Sequence, residues 1–333
     1  VERGTIWAGT DDGKVQVTRD DGVTWTDLTG PLEAAGAPHE YWVTRVVPSH
    51  HDAATAFVTI PGFHRDDFRP FVFRTDDYGA SWQFMASTLT RASANVRAED
   101  RKNPSLLFLG TDHGLFVTLN GGESWSPVQS NMPVLPVRDL VIHPREGDLI
   151  AATHGRSVWI LDDVTALQQL NADVRVSDLH LIEKKAATKW QGISRGATRG
   201  HKLFMGRNPL TINQQGPGNS PSELQNSAAI HFWLGSEPNG PVTVEISSLD
   251  GMLEASHEVE GHAGVNRWFW DLHWAPSEED MAAFELRMEL MRERFGGQIP
   301  PGFGGGREPQ GPEADVGTYL VRVTACLLYT SPS

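Results

Sequence analysis

The apolar positions in the first half of the chain alternate in short runs that glycine-bearing turns separate. Ile6–Gly13 is typical of a strand that enters a turn, and the pattern returns at Leu107–Gly114 and, more faintly, at Leu149–Arg156. Such spacing predicts β-hairpins. Each hairpin follows a further alternating run that predicts an innermost strand, at Tyr41–Pro48, Ala94–Glu99 or Val137–His143.

An eight-residue motif recurs in phase with these hairpins, at Thr18–Trp25, Thr75–Trp82 and Thr118–Trp125. In each octad the carboxylate or amide accepts hydrogen bonds from nearby backbone N–H groups, and the glycine takes a positive φ. The hydroxyl supplies a further local bond, and the tryptophan is expected to pack into the blade core. We therefore predict structural roles for Thr18, Asp20, Gly22, Trp25, Thr75, Asp77, Gly79, Trp82, Thr118, Asn120, Gly122 and Trp125.

A repeat of this length suits the four short strands of a propeller blade. The pattern predicts an all-β fold, with about 3.5 propeller blades in residues 1–170. These are the last three strands of one blade, two whole blades, and the first three strands of a fourth. Closed propellers have at least four blades, so we expect further blades outside this sequence.

The second half of the chain has a different pattern. Residues 171–227 are predicted to form a connector, with a loop at Asn213–Ser222. Residues 228–325 are predicted to form an Ig-like β-sandwich from five alternating runs, with a hairpin turn at Leu249–Gly251. These runs are Ile230–Leu234, Val242–Ser247, Leu253–Val259, Asn266–Trp274 and Thr318–Thr324.

An insertion, 276–312, interrupts the sandwich. Ser277–Asp280 resembles a capping box and predicts a helix to about Phe295, followed by a Gly/Pro run. The Met and Phe residues of the helix predict that it lies on the sandwich, and a partner-binding helix is the alternative.

Composition narrows the choice of partners. The net charge of −14 disfavours nucleic acid, and no apolar run is long enough to span a membrane. The only cysteine, Cys326, lies in a tail, 326–333, that resembles a translated sequencing adapter. We therefore predict that this tail is an artefact and that no thiol takes part in function.

The turns between the second and third strands of each blade are predicted to lie opposite the octads. Loops on a rigid scaffold often carry function, so this face is the predicted ligand site. Much of its chemistry falls in a long second-blade insertion, Pro61–Pro70. The candidates are Asp11, Asp12, His64, Arg65, Arg69, Asp112, His113, His154 and Arg156.

Three interpretations of the insertion remain open. Asp66 and Asp67 are candidates for the carboxyl pair of a glycosidase, although adjacent residues of a strand point apart. The insertion also suits a binding loop or a solvated loop with internal ion pairs. We predict no metal site and no cofactor, because His50–Asp52 suits an exposed turn and Asp11–Gly13 lacks alternating oxygen ligands.

The octads, with Val137–Pro144, Thr153–Asp163 and Gly317–Tyr319, resemble a bacterial family. It comprises the BNR/Asp-box "glycosyl hydrolase-like" proteins related to the sortilin (VPS10) propeller, which end in an Ig-like module. The resemblance covers residues 1–325. It implies an exported protein whose signal peptide would lie upstream of this sequence.

The resemblance also implies two functions. One is a non-catalytic propeller that binds a protein, peptide or glycan. The other is a glycoside hydrolase that uses carboxylates on the face opposite the octads. A sialidase is disfavoured, since it needs a tyrosine nucleophile and only Tyr41 remains in a suitable place.

Overall fold

The computed structural model describes residues 2–90, 92–128, 132–183, 186–187, 227–295, 309 and 311–326. It divides into two compact units, Val1–Asn171 and Ala172–Ser333. Nearly all of the regular structure is antiparallel β-sheet.

The first unit contains four consecutive sheets, which we call blades 1 to 4. Blade 1 comprises β1 (Ile6–Gly9), β2 (Val15–Thr18) and β3 (Thr26–Asp27), and helix α1 (Thr29–Ala34) follows it. Blade 2 comprises β4 (Arg45–Pro48), β5 (Ala56–Pro61), β6 (Pro70–Thr75) and β7 (Gln83–Phe84). Blade 3 comprises β8 (Ala94–Glu99), β9 (Leu107–Thr111), β10 (Gly114–Thr118) and β11 (Ser126–Pro127). Blade 4 comprises β12 (Val137–Ile142), β13 (Leu149–Thr153) and β14 (Val158–Leu161).

This arrangement confirms the predicted all-β fold and partial propeller. Consecutive blades share their apolar cores, because Val17 and Val58 belong to one buried cluster and Phe57 and Leu107 to another. A third cluster joins blades 3 and 4. The innermost strand is shorter than predicted in blade 2, where β4 begins only at Arg45.

Close packing of the blades explains the glycine ahead of two of the hairpin turns. A Cβ on Gly110 would lie 2.7 Å from a methyl of Val137 and 2.8 Å from a methyl of Val96. A Cβ on Gly9 would lie 2.6 Å from a methyl of Val43. All three distances are shorter than real Cβ contacts, so the absence of a side chain lets the neighbouring chain segments approach.

The three octads fold into the same turn. Asp20 Oδ1 accepts hydrogen bonds from Thr18 Oγ1 at 2.7 Å and from Thr24 N at 2.8 Å, and its Oδ2 accepts one from Thr24 Oγ1 at 2.6 Å. Asp77 is bonded in the same way, and so is Asn120 except that its amide nitrogen donates to a serine hydroxyl. These side chains therefore have their bonding capacity occupied within the turn.

The tryptophans of the octads differ in their burial. Trp125 is buried, and its Nε1 donates a 2.8 Å hydrogen bond to the Met85 carbonyl of the preceding blade. Trp82 packs edge-on against Trp7 of blade 1. Trp25 is 43% exposed, so the predicted core position is wrong for this residue. The preceding blade covers each buried ring, and in the described residues no sheet covers blade 1 on that side.

A charged pair is buried between blades 2 and 3. Arg97 Nη2 lies 3.2 Å from Glu99 Oε1, and the guanidinium carbon lies 3.3 Å from the centroid of the Phe57 ring. Glu99 also accepts hydrogen bonds from Ser49 Oγ at 3.1 Å and from His50 N at 2.7 Å. The three Arg97 nitrogens are buried and have no hydrogen-bond partner among the described residues. Desolvation by burial lowers the pKa of Arg97 to about 9.

The second unit begins with two short elements in the segment that was predicted to be a connector. They are α3 (Ala172–Val176), which follows α2 (Thr165–Gln169) at the end of the first unit, and β15 (Leu179–Leu181). The unit has two sheets, one of β15, β16 (Ala228–Leu234) and β19 (Gly264–Trp270), the other of β17 (Val242–Ser248), β18 (Glu254–Val259) and β20 (Tyr319–Thr324). Both sheets contribute to one core, as in a β-sandwich. The likeness to an Ig module stays a prediction, and the loop at Asn213–Ser222 lies outside the described residues.

Helix α4 (Glu278–Arg294) begins where predicted, and Ser277 is its N-cap, since Ser277 Oγ accepts a 3.1 Å hydrogen bond from Asp280 N. Met281, Phe284, Met288 and Met291 are half-buried and no residue of α4 is fully buried, so the expectation that this helix lies on the sandwich stays a prediction. Leu286 and Leu290, on the side away from the Met and Phe residues, are exposed. Most of the Gly/Pro run and residues 327–333 of the tail lie outside the described residues, and a partner-binding role for α4 stays a prediction.

The hydrogen bonds to Asp20 predict a low titration midpoint in the folded protein. The Thr24 hydroxyl and backbone N–H, with the Thr18 hydroxyl, lower the pKa of Asp20 from 3.8 to about 2. Because the folded pKa is depressed, the contribution of this turn to stability is present above pH 3.8 and is lost as the pH falls toward 2. NMR titration of the Asp20 carboxyl carbon measures the midpoint, and a value of 3.8 or above would contradict the turn network.

The buried pair predicts unequal effects for its two members. Glu99→Gln leaves Arg97 charged and without a carboxylate, so we expect it to destabilise the protein by about 3–5 kcal/mol in urea unfolding. Arg97→Met should cost less, because Glu99 keeps the Ser49 and His50 donors. Arg145→Met is the control, since this exposed arginine pairs with Glu146 and should contribute less than about 1 kcal/mol. Equal losses of stability in Glu99→Gln and Arg97→Met would contradict the prediction that removing the carboxylate costs more than removing the guanidinium.

Candidate functional site

The turns that join the second and third strands of the four blades lie at one end of the first unit. They fall between β1 and β2, β5 and β6, β9 and β10, and β13 and β14, whereas the octads follow the third strands at the opposite end. The innermost strands also begin at this end, because Arg45 pairs with Thr59 and Val137 with Thr153. We call this surface the turn face.

The blade 2 insertion is an ordered turn on this face. A 3₁₀ helix, Phe63–Arg65, ends at Asp66, whose φ of 55° is left-handed. Asp67 N then donates a 3.1 Å hydrogen bond back to the Gly62 carbonyl. An Asp side chain tolerates this conformation better than most residues, which explains its place at the end of the turn.

A stack of aromatic rings fixes the insertion to the start of the innermost strand. The His64 ring lies 4.0 Å from that of Phe63 and 5.3 Å from that of Trp42, measured between centroids, with tilts of 37° and 30°. Trp42 ends the stack and is 45% exposed. Phe68, in the same insertion, is 48% exposed. The turn face therefore presents two large rings to solvent.

Arginines lie over the aromatic rings of this face. The guanidinium carbon of Arg65 is 5.7 Å from the Tyr41 ring centroid, and that of Arg69 is 5.1 Å from the centroid of Phe71. Arg138, from blade 4, lies 5.3 Å from the centroid of Phe63. Each distance is within the range of a cation–π contact, which is worth about 0.5–1 kcal/mol at an exposed site.

One carboxylate of the insertion and one of the blade 1 turn are held by neighbouring cations. Arg69 donates to Asp67 from Nη2 at 2.6 Å and from Nε at 2.9 Å, and these bonds lower the pKa of Asp67. Asp12 accepts from the Thr10 hydroxyl and lies 3.1 Å from Lys14 Nζ. The Thr10 bond is the main cause of the lowered pKa of Asp12, and Lys14 adds to it.

Two β-bulges aim side chains at the turn face. The pairing with the second strand shifts register between Ala94 and Val96 in blade 3 and between Val137 and Asp139 in blade 4. The residues in the bulges are Asn95 and Arg138. Arg138 Nη1 donates a 2.9 Å hydrogen bond to Asn95 Oδ1 and lies 3.3 Å from Asp112 Oδ1. Bulges often redirect side chains next to functional sites.

A second ion pair joins the innermost strands of blades 2 and 4, with Arg45 Nη2 at 2.9 Å from Asp139 Oδ1. Through Arg138 and this ion pair, blade 4 contacts blades 2 and 3. Sequence analysis missed Tyr41, Trp42, Arg45, Asn95, Arg138 and Asp139 as site residues. Their position at the start of each innermost strand was the available signal, whereas the bulges have no signature in the sequence.

The structure brings together only some of the predicted candidates. His64, Arg65, Asp67 and Arg69 share the insertion, and Arg138 links it to Asp112. Five others occupy three further turns of the same face. Asp11 and Asp12 lie between β1 and β2, His113 lies beside Asp112 between β9 and β10, and His154 and Arg156 share the turn between β13 and β14.

The pKa shifts of two carboxyl groups of this face bear on acid–base chemistry. A glycosidase needs one carboxyl group with a raised pKa to act as the acid. The two carboxyl groups of this face with displaced pKa values, Asp12 and Asp67, are both displaced downward. In the described part of the chain no cluster of His, Cys, Asp or Glu could hold a metal, and no helix there could span a membrane.

No protein-family profile and no curated protein match the chain. Several solved structures are similar in part. YCF48 bound to a D1 peptide aligns at 18% identity with a TM-score of 0.36, over 48% of this chain and 48% of that one. The GH74 enzyme of Niastella koreensis aligns at 12% identity with a TM-score of 0.39, over 84% of this chain and 45% of that one.

A GH74 xyloglucanase from Xanthomonas campestris aligns at 13% identity with a TM-score of 0.36, over 85% of this chain and 38% of that one. The chain thus spans about half of the length of these proteins or less. At these scores the likeness assigns no activity and no ligand.

Arg138 is predicted to hold the blade 2 insertion in place from blade 4. Arg138→Ala removes the contact with Phe63 and the ion pair with Asp112, so we expect about tenfold faster hydrogen exchange at the amides of Arg65 and Asp67. Arg138→Lys should give an intermediate rate, because an ammonium keeps the charge without the flat stack. Arg145→Ala is the matched control. Unchanged exchange in Arg138→Ala would show that the insertion is ordered by its own contacts.

Proposed function

We propose that this protein is an exported propeller scaffold that binds a protein, peptide or glycan through its turn face, without catalysis. The observation that carries the proposal is the exposure of Trp42 and Phe68 on a face that carries several arginines, while Asp67 and Asp112 are held in ion pairs. Export and the Ig-like character of the second unit enter the proposal through the family resemblance.

Exposed aromatic rings next to arginine are the residue types that contribute most to binding at interfaces. A tryptophan half in water keeps apolar area that a ligand can cover, at about 25 cal/mol per Å². The stack on His64 and Phe63 limits the motion of Trp42. Less conformational entropy is therefore lost when a ligand arrives.

The alternative is a glycoside hydrolase that uses Asp66 and Asp67. The bidentate contact with Arg69 ties up the Asp67 carboxylate and favours its ionised form. That state suits neither a general acid nor a carboxylate free to approach a substrate. The ion pair gives Asp67 a structural task, which is to fix the loop that presents Phe68.

Trp42→Ala tests the binding face against Trp25→Ala. The two tryptophans are almost equally exposed, at 45% and 43%, and lie at opposite ends of the first unit. On arrays of glycans and peptides, we expect Trp42→Ala to weaken the strongest signals of the whole chain at least about tenfold, as loss of an anchoring ring does. Trp25→Ala should leave them unchanged.

Equal losses in the two variants would contradict a site on the turn face. Hydrolysis assays on xyloglucan and sialosides complete the comparison, with Asp66→Ala and Asp67→Ala as variants. We expect no turnover by the folded protein. Turnover that either variant abolishes would establish the hydrolase and overturn the non-catalytic proposal.

A further inference from the structure

Arg65 differs from the other arginines near the insertion in having no carboxylate. Arg69 holds Asp67, Arg138 holds Asp112, and Arg45 holds Asp139. In the part of the chain that the structure describes, Arg65 makes neither an ion pair nor a side-chain hydrogen bond. The adjacent Asp66 does not supply one, because the left-handed backbone ends the 3₁₀ helix there and the two groups do not pair. A guanidinium on this face is thus left for a ligand.

The environment of Arg65 prepares it for a planar acceptor. Its contact is with the Tyr41 ring, at 5.7 Å from the centroid. A contact with a ring does not use the N–H groups of a guanidinium as hydrogen-bond donors to oxygen, so they remain available. Those N–H groups match the two oxygens of a carboxylate, and charge-assisted bonds of this kind are among the strongest that proteins make.

The exposed indole and this guanidinium belong to two neighbouring contacts. Tyr41 and Trp42 are consecutive, as are His64 and Arg65, and the two pairs contact each other as Tyr41 with Arg65 and Trp42 with His64. The free guanidinium and the exposed ring therefore lie on the same part of the turn face. A ligand that uses both must carry a carboxylate beside a flat surface able to cover an aromatic ring.

We propose that Trp42 and Arg65 bind an acidic sugar residue, a hexuronate, with its C–H face on the indole and its carboxylate on the guanidinium. The negative face of an aromatic ring attracts the polarised C–H groups of a sugar ring. A uronate presents that face and a carboxylate on one rigid ring. The C-terminal carboxylates of peptides are captured instead in nests of backbone N–H groups, whereas the donor here is a side chain next to a ring. This inference rests on the proposed function, since it names the ligand class of the same face.

Calorimetric titration of the whole chain with trigalacturonate and with the neutral galactotriose tests the proposal. We expect the acidic trimer to bind at least about tenfold more tightly, as one charge-assisted hydrogen-bonded pair implies. Arg65→Met should remove that preference, and Arg65→Lys should keep part of it. Trp42→Ala should weaken binding of both trimers. Arg145→Met and Trp25→Ala are the matched controls and should bind like the unsubstituted protein.

Equal affinity for the acidic and the neutral trimer, or no effect of Arg65→Met, would overturn the role of Arg65. Absence of binding to both trimers would overturn the proposal that the ligand is a hexuronate. If a peptide on the array then binds in a Trp42-dependent way, the proposed function stands and only the ligand class fails. If Trp42→Ala changes the binding of no ligand, the proposed function fails as well. Circular dichroism of each variant shows that a loss of binding is not a loss of folding.

Discussion

Face-to-face packing of consecutive sheets is the constraint on which the first unit depends. The strands have two to six residues, and every residue of β5, β8 and β9 is buried. A single sheet of three or four such strands would leave one apolar face in water, which is why short sheets need a partner layer. Each blade therefore supplies the second layer of its neighbour. The two glycines at positions 9 and 110 follow from this, since a methyl group there would hold the innermost strands apart.

Because the blades pack in this way, the polar groups that stabilise the fold and those that can contact a ligand lie in different parts of each blade. Between blades a charge must bring its own partners, as Arg97 and Glu99 do, because water is excluded there. At the octad end each turn satisfies most of its own polar groups, so the carboxylates of Asp20 and Asp77 serve mainly to hold the turn. At the turn face the connections contribute less to the cores. Their length can change without disturbing the blades, and blade 2 carries its insertion there.

The repeat made the first unit predictable, because hydroxyl, carboxylate or amide, glycine and tryptophan at fixed offsets specify a turn by local chemistry alone. The strand count followed from the turns. The exposure of Trp25 was not predictable in this way, since burial of that ring depends on a neighbouring sheet and not on the octad. Strand β15 was missed for a different reason, since a strand of three residues has too few positions to show alternation.

The candidate site was predictable to a similar extent. The insertion was visible as extra polar residues between two strands, and it does lie on the turn face. Its partners were not visible, because Arg138 reaches it only through a bulge that moves one residue out of register. Asp66 and Asp67 look alike in sequence, yet the structure gives one a left-handed backbone and the other a bidentate arginine. Differences of this kind arise from tertiary contacts and have no counterpart in residue type or spacing.

The internal contacts of the turn face also indicate which of its residues are available to a ligand. Asp67, Asp112 and Asp139 each neutralise an arginine, and the rings of Phe63 and His64 contact each other in the ring stack. Trp42 and Arg65 are both exposed. Each makes one contact that holds the loop, Trp42 with His64 and Arg65 with Tyr41, and is otherwise open to solvent. Arg65 lies over Tyr41 and does not pair with Asp66, so its guanidinium stays available to a ligand. Together with the exposed rings of Trp42 and Phe68, it supports the view of this face as a binding surface.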